Sequence, residues 1–250
     1  MGEGGDTRDE IAVWLCRVES LSDVDLMGMR ALLSEEEHAR CDRLVLAEDR
    51  RAFTAAHALL RTALSRHGAR PPRDWRFHTT AHGKPFLASQ TGHPPLSFNL
   101  SHTRSTVACA VARGADLGLD VEEAGRVSDG LGVAERYFTA GERQWLAACP
   151  AEEVAVRFVE LWTLKEAYIK AVGLGLRVPL DSFGFSFDEG PRLTFHGMGD
   201  SSPWHFWLAA LSPTTRIALA APTERSGRIS WWDRHGAPAS GVTLLRSSAG

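Results

Sequence analysis

An α+β fold made of two similar lobes is what this sequence predicts, and three observations carry the prediction. A strongly patterned helical stretch occurs twice, over 47–66 and 152–172. Each is followed by several short apolar segments of strand character. Neither a βαβ glycine-rich fingerprint nor a short fixed repeat is present, which sets aside dinucleotide-binding and solenoid architectures. At 250 residues the chain has room for one large domain or two. The lobes are expected to divide as 1–116 and 117–250.

The elements follow in order. IAVWLCRV (11–18) is an apolar run of strand length and reads as buried. A helical region starts near Ser34, where SEEE offers a capping hydroxyl followed by first-turn acids. Over 47–66, Phe53, Ala56, Leu59, Leu60, Ala63 and Leu64 recur at spacings of three and four, and His67-Gly68 ends the pattern. Strands are then predicted at WRFHT (75–79), LSFNL (96–100) and TVACAVA (106–112), with AHGKP as a turn. In the second half the helix stops at Gly-Leu-Gly-Leu. Strands FGFSF (183–187), LTFHG, WHFWLAAL and RIALAA (216–221) come after it. Beyond about residue 222 the chain is rich in Gly, Ser and Arg, and predicts an extra hairpin and a loose tail.

Composition narrows the function classes. With 44% hydrophobic and 24% charged residues the chain is neither disordered nor a coiled coil. A net charge of −3 gives no global attraction to nucleic acid, so any anion site must be local. Cys16, Cys41, Cys109 and Cys149 lie far apart and form no zinc or redox motif. The polar, acidic start MGEGGDTRDE is unlike a signal peptide, and no apolar run approaches membrane-spanning length. A cytoplasmic protein with neither nucleic-acid nor membrane partners is expected.

Two stretches carry chemistry. In DLGLDVEEA, Asp120 and Glu122 are two residues apart in a strand-like context, so both carboxylates point from one face. Taken alone, such a pair is more often a strand end meeting solvent. In RFVELWTLKEAYIKAVG, Lys165 falls inside the apolar arc formed by Phe158, Leu161, Trp162, Ile169 and Val172. Either it snorkels to water or it serves a site. Glu166 and Lys170 are neighbours four residues apart at the edge of that arc. Gathered together, Asp120, Glu122 and Glu166 repel pairwise by about 4 kcal/mol at 4 Å and an effective dielectric of 20. Such a cluster needs a hard cation, and an all-oxygen donor set favours Mg²⁺ or Mn²⁺.

LGLDVE followed about forty residues later by WTLKEAYIK resembles the paired signature of the 4′-phosphopantetheinyl transferase superfamily, in its larger, Sfp-like branch. The second block fits at every defined position, and the first departs only in Leu117 and Leu119, where Ile or Val is usual. Upstream, HGKPF (82–86) and SFNLSHT (97–103) are similar to two further family motifs, in the same order.

The resemblance implies two lobes related by pseudo-twofold symmetry with the active site in the cleft between them, and a monomer. It implies transfer of the 4′-phosphopantetheine arm of coenzyme A to a serine of an apo acyl or peptidyl carrier protein, releasing adenosine 3′,5′-bisphosphate. By chain length, polyketide or nonribosomal peptide synthase carriers of secondary metabolism are implied. Asp120, Glu122 and Glu166 would hold Mg²⁺, and Lys165 and Lys170 would offset the charge of phosphoryl transfer. The base is Glu166 or a water at the metal. His102, beside Ser101, would meet the 3′-phosphate, and Lys84 with Pro85 would shape the adenine-side wall. Arg40 and Arg51 are candidate phosphate contacts, although a run such as EDRR is more often a solvated helix face. Leu131, Val133, Tyr137 and Phe138 are the candidate carrier contacts. Two other classes stay open: a Mg²⁺-dependent phosphohydrolase, and a non-catalytic module that binds coenzyme A or carrier proteins.

Overall fold

A computed structural model describes residues 10–88, 95–114, 116–127, 129–188, 190, 192–197, 204–223 and 228–248. The chain divides into two compact units. Unit 1 takes in the described residues of Met1–Ala81, Pro85–Ala115 and Gly227–Ser240, and unit 2 those of His82–Lys84, Asp116–Ser226 and Gly241–Gly250.

Unit 1 begins with β1 (Ile11–Arg17), two short helices α1 (Asp23–Arg30) and α2 (Glu35–Asp42), and the long helix α3 (Ala47–His67). A small antiparallel pair, β2 (Phe77–Thr79) and β3 (Pro85–Leu87), follows, then β4 (Leu96–His102) and β5 (Thr106–Arg113). The main sheet has the order β11-β1-β5-β4, where β11 is Ile229–Asp233. Ala55, Leu59, Ala63 and Leu64 of α3 pack with Val107, Cys109 and Val111 of β5 to make the core.

Unit 2 repeats that plan. β6 (Gly118–Glu123) leads to α4 (Gly130–Tyr137), α5 (Ala140–Ala147) and the long α6 (Val154–Val172). A hairpin, β7 (Gly184–Phe187) with β8 (Leu193–His196), is followed by β9 (Trp204–Ala210) and β10 (Thr215–Pro222). Its sheet has the order β12-β9-β10-β6, with β12 at Thr243–Ser247. Thus β1-β5-β4 and β6-β10-β9 have the same internal order, both antiparallel. The helix-then-strands pattern read in the sequence is present in each unit.

Some elements differ from expectation. Helix α1 was not legible, because none of its eight residues is fully buried and only Leu26 and Met29 pack in part against the core; Ser22 and Asp25 start it with a reciprocal cap. Trp75 ends a 3₁₀ turn and only 77–79 are strand. The tail does turn back on itself, with Trp232 bridged antiparallel to Pro238, but its two strands do not pair with each other. β11 runs parallel to β1 in unit 1, with Trp232 stacked on Trp14 at 6.1 Å, while β12 joins β9 in unit 2. Residues 228–240 therefore return to unit 1, whereas the sequence reading assigned all of 117–250 to the second lobe. The physical reason is that ISWWD supplies β-branched and aromatic residues that cover the edge of β1. Among the described residues no helix is long and apolar enough to cross a membrane.

Candidate active site

The site is built where β6 meets α6 in unit 2. Gly118 makes the approach possible: a Cβ there would lie 1.9 Å from the carbonyl oxygen of Ala167 and 2.4 Å from the nitrogen of Ala171. Only glycine lets the strand lie flush on the helix backbone. Two residues further on, Asp120 is buried at 3% exposure. Its Oδ1 accepts from Lys170 Nζ of α6 at 2.6 Å, a charge-assisted bond. Glu122, on the same side of the strand, and Glu166, one turn before Lys170, are half-buried.

The acids act on one another electrostatically. Burial first, then the charge of Asp120, push the Glu122 carboxyl up to about 6, against the pull of Arg126 and Lys170. Burial and then Asp120 also raise Glu166, with Lys170 pulling the other way. Loss of solvation and like charge thus act together on two of the three acids. No group of three or more His, Cys, Asp or Glu side chains among the described residues is arranged to hold a metal ion by itself. Lys170 lies against Asp120 at a distance where a cation would otherwise be drawn. The donor set nevertheless fits Mg²⁺, which takes few protein carboxylates and fills its other positions with water and substrate oxygens.

Lys165 is the main correction. Expected beside the acids, it is turned into the core at 0% exposure. Its Nζ donates to the carbonyls of Leu180 and Phe183, both at 2.7 Å, and pairs with Glu142 at 2.9 Å. Adjacent helix positions point about 100° apart, so Glu166 faces β6 while Lys165 does not. Glu142 escaped the sequence reading; the available signal was T-A-G-E at 139–142, a capping box at the start of α5.

The remaining expected residues lie on other elements of the two units. Arg51 is spent on the carbonyl of Leu21 at 2.5 Å and on Asp23, so it holds the entry to α1. Arg40 is exposed on α2 with its guanidinium over the Phe53 ring at 5.7 Å. Ser101 is buried and His102 exposed at the end of β4. Pro85 opens β3. Lys84 donates to the carbonyl of Ala171 at 2.8 Å, which places a cation at the last turn of α6, favourably for the helix dipole. Of the carrier candidates, Leu131 (51%) and Tyr137 (41%) are exposed, and Val133 packs against the unit 2 core. Phe138 is 1% exposed and stacks on Phe158 at 5.5 Å, so it is core and not contact surface.

Comparison with known proteins assigns the chain. A family model described as the 4′-phosphopantetheinyl transferase superfamily matches residues 116–221, and one described as 4′-phosphopantetheinyl transferase, N-terminal, matches 21–113. The 4′-phosphopantetheinyl transferase HetI of a Nostoc species is 34% identical over 168 residues, covering 67% of this chain and 70% of that protein. The chain belongs to the 4′-phosphopantetheinyl transferase superfamily. The transferase Sfp of Bacillus subtilis is a second relative of this transferase, 30% identical over 201 residues and covering 80% of this chain and 87% of that one. A solved holo-(acyl-carrier-protein) synthase from Bacillus anthracis, in complex with CoA, is 22% identical with a TM-score of 0.39, covering 43% of this chain and 94% of that chain.

Proposed function

We infer that this transferase moves the 4′-phosphopantetheine moiety of coenzyme A onto a serine of an apo carrier protein and releases adenosine 3′,5′-bisphosphate. The observation that carries the reading is the face formed by Asp120, Glu122, Glu166 and Lys170 across β6 and α6, in a chain whose two halves both match the family. We assign Asp120, Glu122 and Glu166 to hold Mg²⁺, with Mn²⁺ as its substitute. Bound there, the ion supplies charge neutralisation for the coenzyme A pyrophosphate.

The chain's own groups do the rest. The carrier serine Oγ attacks the phosphorus attached to pantetheine, and the bond from that phosphorus to the leaving bisphosphate breaks. Glu166, half-buried on α6 where it faces β6, is assigned to take the serine proton. Lys170 exchanges Asp120 for the phosphate oxygens as charge develops on them. His102 and Arg40 are assigned to the 3′-phosphate, and the backbone at Lys84 and Pro85 to the adenine side. Leu131 and Tyr137 are assigned to the carrier. Leu131 lines a groove of about 270 Å³ together with Val127, Asp129, Val154, Ala155 and Phe158, a mixed surface that offers a docking helix both apolar and polar contacts. The internal repetition supplies two units from one chain, so the working form is read as a monomer.

Incubation with coenzyme A, Mg²⁺ and a panel of apo polyketide, nonribosomal peptide and fatty-acid carriers, followed by intact-mass measurement of the carrier, tests this. A mass gain equal to phosphopantetheine is expected. Coenzyme A breakdown without that gain would make the protein a hydrolase, and no change in either would leave a binding module. His102→Ala is expected to raise KM for coenzyme A with little change in kcat; an unchanged KM removes it from the phosphate.

A further inference from the structure

Among the described residues of unit 2, Lys165 is the most deeply buried cation. All three N–H bonds of Lys165 are used, on Leu180, Phe183 and Glu142, and the rings of Phe183 and Phe138 lie 4.6 and 5.3 Å from its nitrogen. Glu142 is equally committed. Its Oε2 accepts from the Thr139 backbone N–H and hydroxyl, both at 2.9 Å, and its Oε1 from the Phe185 N–H at 3.0 Å. Two side chains therefore tie α6 to the start of α5, to the 180–183 turn and to β7. On β6, Gly118 fixes the same helix two residues further along, at Ala167. Glu166 lies between these two anchors in sequence.

Unit 1 contains the same device without an acid next to it. Glu37 caps Ser34 at the start of α2 and accepts from Arg61 Nε at 2.8 Å. Arg61 in turn donates to the carbonyls of Pro72 and Trp75 at 2.7 and 3.1 Å. The residue following Arg61 is Thr62, where Glu166 follows Lys165. Unit 1 thus holds a long helix with the staple alone, and unit 2 uses the staple next to a reactive carboxylate.

We propose that Lys165 and Glu142 are positioning residues for transfer: their buried pair sets the rotation of α6 that presents Glu166 and Lys170 to Asp120 and Glu122. This rests on the functional reading above and departs from a direct role of Lys165 on coenzyme A. Displacing reacting groups by about 1 Å costs on the order of 100-fold in rate. Loss of either partner is therefore expected to lower kcat by about 10- to 100-fold, while His102 and Arg40, assigned to the 3′-phosphate, are left in place.

The test compares wild type, Lys165→Met, Glu142→Gln, the double variant, and Arg61→Met as the unit 1 control. Folded fraction is measured by circular dichroism, kcat and KM for coenzyme A by transfer, and Mn²⁺ affinity by electron paramagnetic resonance. Expected are matching kcat losses per folded molecule in both single variants, several-fold weaker Mn²⁺ binding and KM within about 2-fold of wild type. The double variant should be no worse than the poorer single one, as for two residues acting as a unit. Arg61→Met should lower the thermal midpoint and leave kcat per folded molecule within about 3-fold. A raised KM in Lys165→Met with a normal Glu142→Gln overturns the proposal, because Lys165 would then touch coenzyme A. So does an equal kcat loss in Arg61→Met, or unchanged kcat and Mn²⁺ affinity in Glu142→Gln. Should Lys165→Met not fold, Glu142→Gln and the double variant decide. Wild type that binds Mn²⁺ and transfers nothing sinks the functional reading instead, and Mn²⁺ affinity then judges the pair.

Discussion

At residue scale, Asp120 and Lys170 meet at 2.6 Å where the strand is buried and the helix side chain is partly wet. Glu166→Gln and Asp120→Asn keep shape and remove charge, so each is expected to lower turnover by about 100-fold or more with circular dichroism unchanged; near-normal turnover in either would remove that acid from the site. Gly118→Ala should act differently. Its methyl has no room against the α6 backbone, and overpacking of this kind costs about 1–3 kcal/mol. A drop of several degrees in the melting of unit 2 by calorimetry is expected, with loss of transfer. The acids and Lys170 were legible because charged residues at fixed spacing in an apolar context stand out. Lys165 was visible as an anomaly and its role was not, because its partner Glu142 is 23 residues upstream and nothing local links them.

At element scale, the two short helices that precede the long ones start identically, Ser34 with Glu37 and Thr139 with Glu142. Burial alone would raise the Glu37 carboxyl. The hydrogen bonds from His57, Arg61 and the Ser34 N–H together outweigh it and bring the group from an ordinary 4.5 down to about 2. A group depressed on folding stabilises above its unfolded value and loses that contribution as pH falls through the folded one. Stability is therefore expected to fall by roughly 2–3 kcal/mol between about pH 4.5 and pH 2 through this group. Glu37→Gln should flatten that part of the urea-denaturation profile; an equally steep profile would mean that other carboxylates set it. Long helices were readable from their period. Helix α1 was not, since Val24 and Met27 are among its most exposed residues.

At the scale of the molecule, each unit finishes its main sheet with a strand from the tail. Trp232→Ala removes a half-buried ring stacked on Trp14, so a loss of about 1–2 kcal/mol and a fall of about 3–6 °C in the unit 1 transition are expected by calorimetry. An unchanged transition would show that β11 adds nothing to its neighbour. The repeated plan of the two halves was legible, because each carries one long periodic helix before its strands. The destination of the tail was not, since a parallel pairing between opposite ends of the chain leaves no turn or spacing to read.

The parallel partnership of β11 with β1 bears on how the protein is made. Translation delivers Ile11–Arg17 well before Ile229–Asp233, with all of β6 to β10 in between. The first half emerging from the ribosome therefore waits, with one flank of its sheet uncovered, until the strands of unit 2 from β6 to β10 have been made and β11 follows them. That interval is when a chaperone, or a neighbouring nascent chain, has its opportunity to pair there instead.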